Sequence, residues 1–191
     1  MDTSTYFIQN NISLPVVEYD LYKLTPKLLP LIIWPNSTLN QSCDPVDFTD
    51  VIIPQLIVDM FRTMKHYKGI GLAAPQVGHL KRLVTIELKE NHKFYLINPV
   101  IVEHGATQYK HNEGCLSTPG YFEDRLRPQS IIVQHQTLNG ITLHNKFEGL
   151  YAFAIQHEID HLNGQVFIDN LSQLKKDRIK SKIKKTLRNR I

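Results

Sequence analysis

From residue 50 onward the chain alternates between two hydrophobic periods. Between residues 50 and 68 the apolar positions Ile53, Leu56, Ile57, Met60, Phe61 and Met64 recur at the i, i+3, i+4, i+7 spacing that lines one face of an α-helix. Pro54 falls in the first turn, where the N–H it lacks has no helical partner anyway, and Gly69 supplies a natural stop. Five short β-branched or aromatic runs follow at Leu83–Leu88, Phe94–Ile97, Val100–Val102, Ile131–Gln136 and Ile141–Leu143, and they predict strands. Asn139-Gly140 between the last two predicts a two-residue hairpin. A second helix is expected from Leu150 to Leu162, between Gly149 and Gly164, and a third where Leu171, Leu174, Ile179, Ile183 and Leu187 recur among charges. A helix, then consecutive strands, then helices is the order of an α+β domain with antiparallel strands, not of alternating βαβ units.

Residues 1–30 lack clear periodicity and contain Pro15, Pro26 and Pro30, so they are expected to form an N-terminal extension to a body spanning 31–170. At 191 residues, with 42% hydrophobic and 21% charged residues, the chain is long enough for one self-sufficient core. The longest apolar run, Leu28–Trp34, contains Pro30 and is far shorter than the ~20 residues of a membrane span. The first basic residue is Lys23, preceded by Asp2, Glu18 and Asp20, which matches neither a secretory nor a transit signal. A cytoplasmic location is therefore expected, with the acidic start favouring bacteria over an organelle. In that reducing setting Cys43 and Cys115 are read as free thiols or ligands, not as a disulfide. The net charge of +4 is uneven: nine Lys and Arg against Asp177 alone give residues 171–191 a charge of +8, leaving −4 for the rest.

The sharpest chemical signal is His157-Glu158-Ile159-Asp160-His161. Residues i and i+4 share a helix face one turn apart, so both imidazoles reach one cation, and Glu158 projects where a carboxylate can take a proton from activated water. A solvated polar helix face would produce the same letters. The preceding Leu150-Tyr151-Ala152-Phe153-Ala154-Ile155 argues instead for a buried helix, in which such side chains must be paired or coordinated. A catalytic metal site needs a third protein ligand and an open position. No His or Glu follows His161; Asp169 and Asp177 do. Upstream, the best candidate is Cys115 in Glu113-Gly114-Cys115-Leu116-Ser117, since thiolate suits Fe²⁺ or Zn²⁺, although a lone cysteine is more often simply buried. Cys43 is assigned a structural role. The third segment, Gly69-Ile70-Gly71-Leu72-Ala73-Ala74-Pro75-Gln76, allows close backbone approach and ends on an amide donor. By itself it reads as a Gly-rich turn, and no Gly-Lys-Ser/Thr follows to make it a phosphate loop.

Together, Gly69–Gln76, Glu113–Ser117 and Gln156–His161 resemble the three signature motifs of the peptide deformylases, in the same order, with a span of roughly residues 45–170. The resemblance implies antiparallel β-sheets surrounding a central metal-binding helix, with a C-terminal helix. It implies hydrolysis of the N-formyl group from formylmethionyl nascent peptides, releasing formate; separately, a monomer is expected. It makes Cys115, His157 and His161 the ligands of one divalent metal, natively Fe²⁺, with Zn²⁺, Ni²⁺ or Co²⁺ in preparations. Water activated by that metal would attack the formyl carbon, with Glu158 as general base and acid. Gln76 and the backbone N–H of Leu116 would stabilise the oxyanion. Gly71 and Gly114 would line the substrate cleft, and Ile70, Leu150, Phe153 and Ala154 an apolar side-chain pocket, though Leu150 and Phe153 equally suit core packing. Glu113 would orient a ligand while paired with Arg127, Arg125 being a near alternative and an ordinary surface ion pair the plain one. His111 departs from the family, where that pocket-edge position is often apolar.

The basic tail is read either as a helix docked on the domain with a solvated charged face or as a contact for ribosomal RNA, which the family's C-terminal helix makes. Membrane-surface binding is disfavoured because no bulky aromatic marks its apolar side. Two other functions compete with deformylation. A conventional metallopeptidase would need a downstream ligand. A non-catalytic ribosome-associated module would have no reason to carry every catalytic side chain.

Overall fold

Strand Leu83–Glu87 is buried almost without alternation because both of its faces are covered, and much of the architecture follows from that. The computed structural model describes residues 21–89, 92–169 and 171–188. In chain order these form α1 (Ile53–His66), β1 (Gly71–Ala73), β2 (Leu83–Glu87), β3 (Lys93–His104), β4 (Gln108–Gly114), β5 (Phe122–Pro128), β6 (Ser130–Gln136), β7 (Thr142–Glu148), α2 (Leu150–Leu162) and α3 (Gln173–Arg188). Five strands make an antiparallel sheet in the order β1-β2-β3-β6-β7, and β4 and β5 pair separately as a two-stranded ribbon. This is the expected α+β class, with antiparallel sheets around a central helix and a helix at the C-terminal end.

Side chains on β2 point alternately to the two faces. Leu83, with Leu72 and Ile97, packs against Ile53, Leu56, Ile57, Met60 and Met64 of α1. Val84 and Ile86 face the other way, packing with Leu96, Ile131, Val133 and Phe147 against Ala152, Ile155 and Ile159 of α2. The two helices therefore enclose one end of the sheet, and the expected stripe on α1 is the buried one. Residues 21–30 lie on α1: the Lys27 N–H donates to Asp59 Oδ1 at 2.7 Å and the Leu29 N–H to Thr63 Oγ1 at 2.9 Å. The remainder of the expected N-terminal extension, residues 1–20, lies outside the described residues.

Four local expectations change. The left-handed residue that ends α1 is Lys68 (φ 59°) and not Gly69, whose N–H bonds back to the Met64 carbonyl. Gly69 serves a different purpose, because a β-carbon there would sit 2.7 Å from Leu116 Cδ1. The two runs Phe94–Ile97 and Val100–Val102 belong to the single strand β3, with register shifts on either side of Val100–Ile101. Pro99 cannot donate to a ladder, and Asn98 turns to φ 51° so that its side chain bonds Val46 and Gln136, which is a bulge, not a break. The hairpin between β6 and β7 closes at Thr137 and Ile141, which leaves a three-residue loop with Gly140 at φ 75°, the other common hairpin geometry. Finally, the ribbon was not predicted, since its strands have no apolar run to reveal them.

Among the described residues no helix is long and apolar enough to cross a membrane. Helix α3 docks through Ile179 and Ile183 against Leu39, Val166, Phe167 and Ile168, with Leu171 and Leu187 at the margin. Leu174 is 64% exposed and takes no part in that core. Ile183→Ala should therefore cost about 2–4 kcal/mol in urea unfolding, whereas Leu174→Ala should change stability by no more than ~0.5 kcal/mol.

Candidate metal centre

Helix α2 runs between the large sheet and the ribbon, so its two sides meet different chemistry. Its apolar side fills the core; on the side toward β4 and β5 it presents His157, Asp160 and His161. The two imidazoles stand with centroids 5.0 Å apart and planes at 85°. Cys115 is the first residue after β4, and its Sγ lies 3.1 Å from His161 Nε2. Donor atoms of Cys115, His157 and His161 all fall within 4.8 Å of one another. The sequence alternatives are occupied elsewhere: Asp169 accepts from Asn40 and from the Val166 N–H, and Asp177 lies on α3 bonded to Gln173. Cys43 is buried in the core, where desolvation pushes its thiol up to about 11, as a structural cysteine should be.

These residues fit a divalent transition metal. His157 Nδ1 lies 3.1 Å from Glu113 Oε2, which leaves the buried Nε2 without a partner. A carboxylate on one ring nitrogen with the other aimed at a shared point is how ligating histidines are oriented. One sulfur and two imidazoles suit Fe²⁺ or Zn²⁺, and three protein donors leave a coordination position free. Burial would raise the Cys115 thiol, but the charge of His161 and the closeness of both imidazoles outweigh it and hold the group well below its ordinary range, which favours the ligating thiolate.

Glu113 and Arg127 are buried, at 5% and 7% exposure, and paired through two hydrogen bonds, Nε to Oε1 and Nη2 to Oε2. A surface ion pair is thus excluded, and Arg127, not Arg125, is the partner. Burial would raise Glu113, yet the bonds from His157 and Arg127 bring its carboxyl down to about 2. Arg127 Nη2 also donates to Asp160 Oδ2 at 2.8 Å, a contact the sequence reading missed. Its only signal was the carboxylate three residues after His157, on the same helical face.

Glu158 is 4% exposed, and its Oε2 has no partner. Burial pushes its carboxyl up to about 7, against the opposing pull of His157 and His161. A β-carbon on Gly71 would collide with Glu158 Oε1, so that glycine is demanded by the close approach of β1 to α2. Gln76 is held in the turn Ala74–Val77: its Oε1 accepts from the Ala73 N–H at 2.8 Å, and its Nε2 donates to Cys115 Sγ at 3.3 Å and Ser117 Oγ at 3.2 Å.

Two of the donors, Cys115 and His157, open onto a cleft of about 390 Å³. Ile70, Gly71, Gln76, Gly114, Cys115, Leu116, Leu150, Phe153, Ala154, His157 and Glu158 all line it. Gly114 has no room for a side chain, since a β-carbon there would lie 2.6 Å from the Phe122 ring. His111 stacks on Phe153 with centroids 4.8 Å apart, and Tyr109 stacks on the same ring at 5.8 Å. The departure at His111 thus adds a polar aromatic edge to the cleft. Phe122, 61% exposed at the rim, and Tyr67 also line it. Both were missed, being aromatics in polar segments with no periodicity to single them out.

The model of the family described as polypeptide deformylase matches residues 28–177. A peptide deformylase of Chromobacterium violaceum is 44% identical over 161 residues, covering 83% of this chain and 95% of its own. That of Pseudomonas aeruginosa is 41% identical over 160 residues, with the same coverage of both chains. Among solved structures, peptide deformylase from Ehrlichia chaffeensis superposes with a TM-score of 0.77 at 40% identity, covering 85% of this chain and 98% of its own. A Met-Ala-Ser-bound peptide deformylase from Acinetobacter baumannii superposes with a TM-score of 0.73 at 30% identity, covering 77% and 100%. Similarity of this extent in sequence, in fold and along nearly the whole of each relative makes the chain a member of the polypeptide deformylase family.

Proposed function

We propose that the chain hydrolyses the formamide at the N-terminus of formylmethionyl nascent peptides, with Cys115, His157 and His161 holding one divalent metal and Glu158 moving the proton. The observation that carries this reading is the meeting of the three donor atoms within 4.8 Å of one another beside a buried carboxylate with an unpartnered oxygen. The bound ion would supply Lewis acidity, polarising the formyl carbonyl and making water acidic enough to ionise near neutrality. Glu158 accepts the proton of the attacking water and returns it to the departing amine. Its raised pKa suits both halves of that exchange. The developing oxyanion takes hydrogen bonds from the Gln76 amide and the Leu116 N–H. For Gln76 this means giving up one of its two present acceptors, Cys115 Sγ or Ser117 Oγ.

Glu113, held by Arg127, fixes the His157 ring. Gly71 and Gly114 allow the peptide backbone close to the site. Ile70, Leu150, Phe153 and Ala154 receive the methionine side chain, with the stacked His111 bordering it. Fe²⁺ is the proposed native metal, because a sulfur and two imidazoles suit it; Zn²⁺, Ni²⁺ and Co²⁺ suit the same donors. Residues 31–170 form the catalytic domain, preceded by an extension and followed by a basic tail of 171–191. Helix α3 buries Ile179 and Ile183 and leaves Lys180, Lys182, Lys184 and Lys185 exposed, a charge distribution that suits ribosomal RNA near the emerging substrate. The enzyme acts as a monomer in the cytoplasm of a bacterium, a location supported by its bacterial relatives.

Purified enzyme should release formate from formyl-Met-Ala-Ser and none from Met-Ala-Ser, and no formate from the metal-loaded protein would refute the reading. Chelation should abolish turnover, and anaerobic Fe²⁺ should restore it. Glu158→Ala should lower kcat by about 10²–10⁴-fold with metal still bound. Gly71→Ala, which displaces the same carboxylate, should cost about 10²-fold while the fold survives.

A further inference from the structure

The ribbon of β4 and β5 belongs to no larger sheet, so no hydrogen-bond ladder fixes its distance from α2. That distance matters. Cys115 leaves the end of β4, whereas His157 and His161 ride on α2, and the sulfur-to-imidazole separation is therefore a separation between two independently built elements.

Among the described residues, three groups of side-chain contacts span the gap. Gln156 Nε2 donates to the Pro128 carbonyl at 2.9 Å, at the end of the ribbon away from Cys115. His111 and Tyr109 stack on Phe153, but stacked rings slide past one another at little cost. The third contact is ionic and directional. Arg127 grips Glu113 through Nε and Nη2, the same Nη2 reaches Asp160 Oδ2 at 2.8 Å, and Glu113 Oε2 lies 3.1 Å from His157 Nδ1. A guanidinium donates along fixed directions in its plane, so it sets orientation as well as distance.

His157 and Asp160 are three residues apart on one face of α2, which closes the circuit: helix, Asp160, Arg127, Glu113, His157 and helix again. Without Asp160, the Arg127 side chain would be bound only to Glu113 of its own ribbon. One ionic link to the helix would remain, and the ribbon could pivot about it. We propose that Asp160 is a positioning residue: by tying Arg127 to α2, its carboxylate keys the ribbon to the helix and holds the Cys115 sulfur within joint reach of His157 and His161. The inference rests on reading those three residues as the metal ligands.

Cobalt(II)-loaded enzyme tests it. The wild type should show the near-ultraviolet thiolate-to-cobalt absorption band, and a wild-type spectrum lacking it would refute the ligand reading itself, along with the inference. In Asp160→Ala that band should weaken, and cobalt should leave to excess EDTA about 10–100-fold faster. kcat should fall while KM for formyl-Met-Ala-Ser stays within about twofold, since Asp160 is not placed on the substrate. Asp160→Asn keeps an oxygen acceptor without the charge, and its release rate should fall between the two; it decides the matter should the alanine variant not fold. Lys175→Ala removes the ribbon's salt bridge to the tail at Glu123 and should leave spectrum and release rate unchanged. Wild-type cobalt release and an unaltered thiolate band in the Asp160 variants would overturn the proposal, even with a lowered Tm.

Discussion

Burying a helix that carries two histidines, a glutamate and an aspartate is unfavourable unless each charge meets a partner, and here the Glu113–Arg127 pair is the partner of two of them, His157 and Asp160. Removing one member of a buried ion pair typically costs about 3–5 kcal/mol, because the survivor is left charged and dry. The pair touches His157 through Glu113 and Asp160 through Arg127. It lets α2 be apolar toward the sheet and polar toward the ribbon, with Glu158 Oε2 left unpartnered.

The same neighbourhood drives two acids in opposite directions. Cys115 and Glu158 both lose water, which should raise both groups. The sulfur lies against two imidazoles and is held well below its usual range, whereas the carboxyl, facing the cleft with one oxygen unpartnered, is pushed up to about 7. A thiolate that stays ionised beside an acid that exchanges its proton near neutrality is the division of labour that metal-assisted amide hydrolysis requires. Gly71 contributes by having no side chain, which lets Glu158 come that close to β1.

Legibility tracked how strongly each element signals its own burial. Helices α1 and α2 were readable because their apolar positions repeat at helical spacing, and β2 because both its faces are covered. The β4–β5 ribbon was not, since one face is solvated and the inward residues include His111, Glu113 and Arg127 in place of Val or Ile. The gap between the runs Phe94–Ile97 and Val100–Val102 became a bulge in one strand, where the side chain of Asn98 bonds Val46 and Gln136. Leu174 matched the tail's repeat yet lies outside its contact surface. At the site, most residues within the three motifs were legible, whereas Phe122 and Tyr67 enter the cleft from segments with no pattern, and the Arg127–Asp160 contact was signalled only by a carboxylate three residues after His157.

What the amino-acid sequence determined unaided was local: a helix that places His157 and His161 one turn apart, a glutamate beside them, and an amphipathic basic tail, all of which follow from the 3.6-residue repeat. Tertiary structure alone decided which distant groups meet that helix. Cys115 and His161 lie 46 positions apart in the chain, and their approach depends on where a free-standing ribbon docks. Across that junction a buried guanidinium bridges two carboxylates and rings stack on Phe153, interactions between side chains that no periodicity along the backbone connects.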